Sequence, residues 1–392
     1  MMFDYDIIIV GGCGRIGLPL GLAFADKGLS VCLYDVDEKA VETVSSGSMP
    51  FKEEDADEFL KRLIDNRLIA TTNIEYIGRS EIVLIVIGTP VDELNNPDMV
   101  AVPSTVEEIL PYMKDGQLLV LRSTIFPGST RLVQNLLVES AKKIDLAFCP
   151  ERIAEGKALS ELTTLPHIIS GVDACSIQRA KNLFETLATT IELTPEEAEL
   201  AKLFTNSWRY IRFAIANQLF IIATKYSIDY YRVLNAIRED YPRAQDIPTA
   251  GFVAGPCLLK DTLQLAAYNN NDFPLGQAAV SINEGLPLFL VSTMLESFDL
   301  HNMVIGILGM AFKSESDDIR YSLSYKLKKI LRFKSKEILC HDPYVTSDKS
   351  LVELSEVLER ADLIIIGSPH SVYDDISFHQ PVIDVWGKLQ TN

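Results

Sequence analysis

The chain has 392 residues, enough for two or three domains that each bury a core of their own. Its net charge of −18, with no cluster of lysine and arginine to offset it, excludes nucleic acid as an expected partner. Cysteines at 13, 32, 149, 175, 257 and 340 fall at no paired or metal-binding spacing, so neither a disulfide framework nor a metal site is expected.

The chain enters a strand almost at once, with no charged leader, cleavage-type site or long apolar segment, and a cytoplasmic protein that spans no membrane is expected. Asp6-Ile-Ile-Ile-Val10 is a short apolar run of the buried-strand kind. It feeds Gly11-Gly-Cys-Gly-Arg-Ile-Gly17 and then a helical Leu18 to Lys27. In that context Gly12 is expected to make a tight turn, Gly14 to let a pyrophosphate approach the backbone, and Gly17 to let helix and strand pack closely. Arg15 and Ile16 lie in the same loop and count among the cofactor contacts. A second strand, Val31 to Tyr34, ends in Asp35, about the ~20 residues on at which a carboxylate takes a ribose diol. Asp35 therefore points to NAD rather than NADP, whose phosphate it would repel.

Strands and helices keep alternating. Glu81 to Ile87 leads to Gly88-Thr89-Pro90, Leu118 to Leu121 leads to Arg122-Ser123-Thr124, and Asp145 to Cys149 leads to Pro150-Glu151. Ligands of an open parallel sheet lie beyond the carboxyl ends of its strands, so Thr89, Thr124 and Glu151 should converge on one crevice. Taken singly, the two threonines are equally good helix caps. From about Pro195 the pattern turns helical, over Glu196 to Tyr226 and about Gly276 to Ser297, and offers apolar surface for a second subunit. Strands return at Val304 to Leu308, Glu337 to Cys340, Asp362 to Ile366 and Pro381 to Val385, without a complete glycine fingerprint. The expected class is α/β: a Rossmann-type dinucleotide-binding domain over 1–194, a central helical domain over 195–300 and a Rossmann-like α/β domain over 301–392.

Gly251-Phe-Val-Ala-Gly-Pro-Cys-Leu-Leu-Lys-Asp261 sets one cysteine in a glycine-proline turn, with Lys260 and Asp261 just behind it. Such a turn brings backbone close to a substrate, a nearby cation favours the thiolate, and a carboxylate can relay a proton. A lone cysteine is more often a small buried hydrophobe. This one shares its chain with a dinucleotide fingerprint.

Together, Gly12 to Gly17, Gly88-Thr-Pro-Val91, Ser123-Thr-Ile125, Pro150-Glu-Arg-Ile-Ala-Glu155, Glu199-Leu-Ala-Lys-Leu-Phe-Thr-Asn206, Gly255-Pro-Cys-Leu-Leu-Lys-Asp261, Leu308-Gly-Met-Ala-Phe-Lys313 and Asp317-Asp-Ile-Arg320 resemble the UDP-glucose/GDP-mannose dehydrogenases. Members of that family oxidise the C6 alcohol of a nucleotide sugar to a carboxylate with NAD. The resemblance covers essentially the whole chain. It implies an NAD domain, a helical core at a homodimer interface that could assemble further, and a C-terminal domain for the UDP moiety.

Carried onto this sequence, Cys257 resembles the nucleophile, and Lys202, Asn206 and Asp261 its proton-transfer and oxyanion-stabilising neighbours. Thr124, Glu151 and Glu155 fall on active-site positions, and Arg152 joins the substrate contacts, although Arg152 and Glu155 could equally form a surface ion pair. Lys260 resembles a ligand for the sugar side, Lys313 a UDP-phosphate contact, Arg320 an NAD contact, and Arg243 an arginine reaching a neighbouring subunit's site. The implied chemistry is two oxidations. Lys202 or a water, beside Asp261, takes the first proton; Cys257 captures the aldehyde; a second hydride leaves; Glu151 serves as base for the water that opens the thioester. Lys202 and Asn206 stand four apart, so one helix face presents both to an oxyanion.

Arg152-Ile-Ala-Glu155-Gly-Lys, the sequence around Cys257, Asn95-Asn-Pro-Asp98 and Tyr241-Pro-Arg243 are similar to the N-acetylhexosamine branch. The expected substrate is UDP-N-acetylmannosamine, feeding surface-polysaccharide synthesis, with UDP-N-acetylglucosamine and UDP-glucose as rivals. A two-electron hydroxyacid dehydrogenase and an inactive nucleotide-sugar-binding protein are the alternatives from other classes; neither needs the thiol. Two departures stand out: Val385-Trp-Gly-Lys388, where some relatives carry an arginine for the nucleotide, and Tyr321, at a commonly acidic position.

Overall fold

A computed structural model describes residues 3–89, 98–253 and 255–389. Pro90, Val91, Asn95, Asn96 and Pro97, which carry part of the family and branch patterns, and Ala254 lie outside the described residues. The chain forms two compact units, Met1–Phe204 and Thr205–Asn392.

The first unit is built on six parallel strands: β1 (Tyr5–Val10), β2 (Val31–Tyr34), β3 (Leu68–Thr71), β4 (Ser80–Ile85), β5 (Leu118–Leu121) and β6 (Asp145–Phe148), in the order β3-β2-β1-β4-β5-β6. The strands read as continuous apolar runs because both sheet faces are covered. Ile7 and Ile9 pack with Leu18, Phe24 and Leu33 on one face, while Ile8 and Val10 pack with Val83, Ile85 and Val106 on the other, as the period of two requires. Helices α1 (Gly17–Asp26), α2 (Glu38–Ser45), α3 (Ala56–Leu63), α4 (Ala101–Ile109), α5 (Ser129–Glu139), α6 (Ala158–Thr164) and α7 (Ala174–Phe184) supply the covering layers. The order reverses between β1 and β4, which places a ligand crevice beyond their carboxyl ends. Strands β7 (His167–Ile169) and β8 (Thr190–Glu192) pair separately and in parallel.

Helix α8 (Pro195–Lys225) begins with a capping box: Glu197 N–H donates to Thr194 Oγ1 at 3.3 Å, and the Glu197 carboxylate takes Thr194 N–H at 2.8 Å. The sequence-drawn boundary at 194/195 falls just before this helix, whereas the compact units divide inside it. The reason is Glu199, which is buried and accepts from Gly128 N (2.7 Å), Thr130 N (2.9 Å) and Thr130 Oγ1 (2.6 Å). Those bonds satisfy the open N-terminus of α5 and hold the first turns of α8 in the first unit.

The second unit contains the remainder of α8, then α9 (Tyr230–Arg238), α10 (Leu258–Tyr268) and α11 (Pro274–Ser297). Four parallel strands follow, β9 (Val304–Leu308), β10 (Glu337–His341), β11 (Leu363–Ile366) and β12 (Val382–Ile383), ordered β10-β9-β11-β12, with α12 (Leu323–Leu331) and α13 (Leu354–Arg360) between them. Helix α11 is long and apolar enough to cross a membrane, a segment the sequence reading did not count. Its side chains are used in packing: Leu286, Leu290, Val291 and Met294 join the core of this unit, and Glu284 pairs with Lys326 of α12 at 2.8 Å.

Candidate active site

At the switch point the glycines divide their labour differently from the expectation. The tight turn is made at Gly11, whose φ of +79° favours glycine, and not at Gly12. Gly12 is the close approach: a Cβ there would lie 2.7 Å from Ile9 O and 2.8 Å from Leu33 Cα. A Cβ on Gly17 would fall 2.3 Å from Gly11 O, so α1 packs directly on the turn. Gly14 is exposed, and its Cβ direction meets only Gly11 O, at 3.4 Å. Asp35 is half-buried at the end of β2 and accepts from Cys13 N at 3.0 Å, which fixes the carboxylate beside the loop. Arg15 lies over the Phe51 ring at 5.0 Å, and Ile16 opens α1. Thr89 and Thr124 do come together: Thr89 Oγ1 donates to Thr124 O at 2.7 Å, joining the ends of β4 and β5. An open glycine position, a carboxylate at the end of β2 and polar strand ends fit NAD at this crevice.

Next to it lies a buried ion pair. Arg122, 1% exposed, donates from Nε to Glu151 Oε2 at 2.9 Å and from Nη2 at 2.5 Å, and from Nη1 to Cys149 O at 3.1 Å. Its guanidinium also lies 4.6 Å from the Phe184 ring. Glu151 Oε1 accepts from Arg152 N and Ile153 N, at 2.7 and 3.0 Å. Burial alone would push this carboxyl up; Arg122 and the two backbone donors outweigh it, and the net direction is down. His167, on β7, is pushed down to about 4 by burial and by Arg122. Its Nε2 faces Leu162 O at 2.9 Å and its Nδ1 faces Arg122 Nη2 at 3.4 Å, which puts the proton on Nε2. Lys202, 8% exposed on α8, donates to Glu151 O at 2.5 Å. Arg152 points away, bonded to Pro166 O, and its guanidinium is made less basic by burial. Glu155 is half-buried in the turn before α6.

In the second unit, Cys257 is the N-cap residue of α10 and is exposed. It stands apart from its fellows. Cys13, Cys32 and Cys149 are buried and their thiols pushed up to about 12, Cys340 to about 11, by desolvation. Exposed Cys175 is bonded to Asp145, which raises it. The turn into Cys257 needs glycine at 255, where φ is +104° and a Cβ would lie 2.7 Å from the Phe312 ring. One helical turn on, Asp261 N–H donates to Cys257 O at 2.9 Å. The Asp261 side chain is fully buried between Asn206 Nδ2 (2.5 Å) and Lys260 Nζ (2.8 Å). Nucleophile, carboxylate, amide and ammonium thus gather around the first turn of α10.

Lys313 follows Phe312, with Nζ 5.8 Å from that ring. Arg320 is forked onto buried Asp318, with Nε at 2.9 and 3.0 Å and Nη2 at 2.6 Å from its oxygens. Arg243 is exposed and donates to Tyr241 Oη at 2.8 Å. Lys388 is tied to Pro369 O and to Asp374, each at 2.8 Å, so it holds a loop. Tyr321 takes a left-handed φ of 57° in the turn before α12.

Three sequence profiles of the UDP-glucose/GDP-mannose dehydrogenase family match in succession: the NAD binding domain over 6–188, the central domain over 196–285 and the UDP binding domain over 306–390. The chain belongs to this family. It is an NAD-dependent oxidoreductase, as its resemblance implied. The UDP-N-acetyl-D-mannosamine dehydrogenase of Pyrococcus horikoshii is 31% identical over 385 residues, covering 95% of this chain and 91% of that protein. A solved structure of the P. horikoshii UDP-D-ManNAc dehydrogenase superposes with a TM-score of 0.91 at 28% identity, over 99% of this chain and 96% of its own. The UDP-glucose dehydrogenase of Pyrobaculum islandicum superposes equally well, TM-score 0.91 at 25% identity, over 100% and 96%.

Residues that sequence reasoning passed over do much of the holding. Arg122 was read only as part of a strand end; a charged residue directly after a four-residue apolar run was the available signal. Glu53, also buried, accepts from Gly156 N (2.7 Å) and Ala158 N (2.6 Å) and so fixes the turn that carries Glu155. Nothing local marks Glu53, since its partners lie about a hundred residues away.

Proposed function

We propose that this enzyme oxidises UDP-N-acetylmannosamine at C6 to the uronate in four electrons, through a thioester on Cys257. The observation that carries the mechanism is the exposed Cys257 at the head of α10, with Lys260 and Asp261 on that helix's first turn and Asn206 of α8 bonded to Asp261. The primary alcohol loses a proton and a hydride, giving the aldehyde. The Cys257 sulfur adds to the carbonyl carbon, forming a thiohemiacetal whose oxygen is stabilised by Asn206; the family resemblance assigns Lys202 to the same step. Loss of a second hydride and proton leaves the thioester, and water cleaves the C–S bond to release the carboxylate and the thiol. NAD supplies the hydride acceptor at each oxidation, so one sugar and one water yield two NADH. Asp261, paired with Lys260, relays protons beside the sulfur. Glu151, held ionised by Arg122, serves as base for the water, and Lys313 holds the nucleotide sugar; Arg152, turned to Pro166 O, is not assigned the substrate contact expected of it.

The choice of sugar follows sequence likeness, because structural likeness is equal for a UDP-D-ManNAc and a UDP-glucose dehydrogenase. We further propose a homodimer in the cytoplasm. Along α8 the exposed Phe204, Trp208, Ile215, Leu219, Ile222 and Tyr226 recur at helical spacing, an unpartnered apolar stripe that supports self-association. The six free cysteines suit a reducing compartment.

The test is NADH yield at completion with UDP-N-acetylmannosamine, UDP-N-acetylglucosamine and UDP-glucose, for wild type and Cys257→Ser. Two NADH per UDP-N-acetylmannosamine, lost in the variant, is the expected result. One NADH per sugar, indifferent to the substitution, would make the thiol structural and the mechanism wrong.

A further inference from the structure

Helix α8 touches the nucleophile segment at both of its ends. After the nucleophile, Asn206 Nδ2 holds Asp261. Before it, Asn217 holds Gly251 by both backbone groups: Gly251 N–H donates to Asn217 Oδ1 at 2.9 Å, and Asn217 Nδ2 donates to Gly251 O at 3.1 Å. Asn206 and Asn217 are eleven residues apart, which on an α-helix is about 16 Å of axis and returns to within roughly 20° of the same face. One face of one helix therefore presents two amides that bracket the stretch from Gly251 to Asp261.

The Gly251 end is clamped from a second side. A Cβ on Gly251 would fall 2.3 Å from the six-membered ring of Trp386, so the indole packs directly against the backbone at this point. Trp386 is itself fixed, with Nε1 donating to Gly367 O at 3.2 Å and its own N–H donating to Asp384 at 2.9 Å. Asn217 is fully buried, and its amide also donates to Asn283 Oδ1 at 2.9 Å, whose Nδ2 in turn meets Tyr210 O at 3.2 Å. A two-membered amide chain in an apolar core costs stability unless every group is matched, and here the matching points at a single backbone residue. Next to the clamp, on the side of the thiol, Phe252 and Val253 are buried.

We infer that Asn217 and Trp386 are positioning residues for the Cys257 sulfur: they set the distance between the loop and α8 from which the thiolate captures the aldehyde. The inference rests on the thioester reading above. Neither residue is assigned contact with substrate, and the first oxidation does not need the sulfur. Loosening the clamp should therefore spare aldehyde formation and impair its capture, and a displacement of about 1 Å slows such a step on the order of a hundredfold.

The experiment compares wild type, Asn217→Ala, Gly251→Ala and Gly251→Ala/Trp386→Leu. Gly251 has no left-handed φ, and the three nearest atoms an alanine Cβ would meet all belong to Trp386, so shortening Trp386 relieves the closest collision. Three readouts are taken: NADH per UDP-sugar with semicarbazide present to trap free aldehyde, the rate of Cys257 alkylation by iodoacetamide, and KM for the nucleotide sugar. Expected for Asn217→Ala and Gly251→Ala are yields falling from two NADH toward one, aldehyde semicarbazone in matching amount, altered alkylation and unchanged KM, with the double variant restored toward wild type. Two NADH and wild-type alkylation in both single variants, or a Gly251→Ala defect that Trp386→Leu does not relieve, would overturn the inference. If Asn217→Ala fails to fold, the Gly251 and Trp386 pair decides. A wild-type enzyme that yields one NADH and is indifferent to Cys257→Ser would instead sink the thioester reading, while alkylation would still report whether the clamp places the sulfur.

Discussion

Removing one charge from the Arg122–Glu151 pair tests how the ends of β5 and β6 are held. The arginine side chain is 0% exposed and the glutamate 10%, so neither can turn to water for compensation. Breaking a buried pair from one side leaves a stranded charge, at a cost of about 3–5 kcal/mol. In a unit the size of Met1–Phe204 each kcal/mol moves Tm by about 2–4 °C, so Glu151→Gln or Arg122→Met is expected to lower its midpoint by roughly 6–20 °C. Replacing both, as Arg122→Met with Glu151→Gln, removes the stranded charge and should recover part of the loss, giving strong coupling in the cycle. The pH dependence has a definite sign. Folding lowers the Glu151 carboxyl from its ordinary 4.5, so the stabilisation is complete above that pH and fades as pH falls through the folded value. Thermal unfolding of the four proteins from pH 8 to pH 4 is the assay: the gap between wild type and Glu151→Gln should be flat above pH 6 and close in acid. Single variants that lose under about 1 kcal/mol, or that add without coupling, would show that the pair does not brace the site. Hydroxylamine-labile acyl enzyme accumulating in Glu151→Gln reports separately on its proposed role as base.

Gly17→Ala should abolish NAD binding or folding of the first unit, since its Cβ would sit 2.3 Å from Gly11 O; intrinsic fluorescence titration with NADH against wild type measures it. Asp35→Asn is expected to narrow the preference for NAD over NADP at least tenfold in kcat/KM, by removing the charge that repels a 2′-phosphate. At pH 8, iodoacetamide should inactivate by modifying exposed Cys257 and spare Cys13, Cys32 and Cys149, which are buried and pushed up to about 12; peptide mapping of the alkylated enzyme checks this. Asp342 is held at about 2 against an ordinary 3.8, a difference worth about 2 kcal/mol, so the second unit should lose that support progressively between pH 4 and pH 2, and Asp342→Asn should lose it at neutral pH.

What could be read from the sequence was what is local. Asp6 to Val10 followed by the glycine turn announces a buried strand and a helix start because each signal lies within a dozen residues, and the long α8 announces itself by the helical pattern that sets in at about Pro195. Short or weakly apolar strands escaped: β3, β7 and β8 have only three or four residues each and carry threonine, histidine or glutamate, so no run marks them. The division of roles between Gly11 and Gly12 depends on how close Leu33 approaches, a tertiary distance that no glycine pattern contains. Lys202 and Asn206 were singled out by the family resemblance, and helical spacing gave only their shared face. Their partners were not, since Lys202 bonds to a backbone carbonyl 51 residues away and Asn206 to a carboxylate 55 residues away.

The two α/β units use one device for two ligands. In the first, Asp35 at the end of β2 accepts a backbone N–H from the loop after β1 and another from Asp37, two residues on, at 3.1 Å. In the second, Asp342 just past β10 accepts from Met310 and Ala311, in the loop after β9, at 2.7 and 2.9 Å, and from Tyr344, again two residues on, at 2.9 Å. The difference is in what remains. Asp35 is half-buried and keeps acceptor capacity for a ribose diol, whereas Asp342 is buried, takes further donors from Val345 N and His370 Nε2, and has nothing left to offer. His370 in turn accepts Glu315 N–H at its Nδ1, so the same chain fixes the loop that bears Lys313. A carboxylate with acceptor capacity to spare in one unit corresponds to a fully engaged internal strut in the other. The second sheet thus shares the strand-end carboxylate of the first but lacks its glycine fingerprint, within the span matched by the family's UDP binding domain.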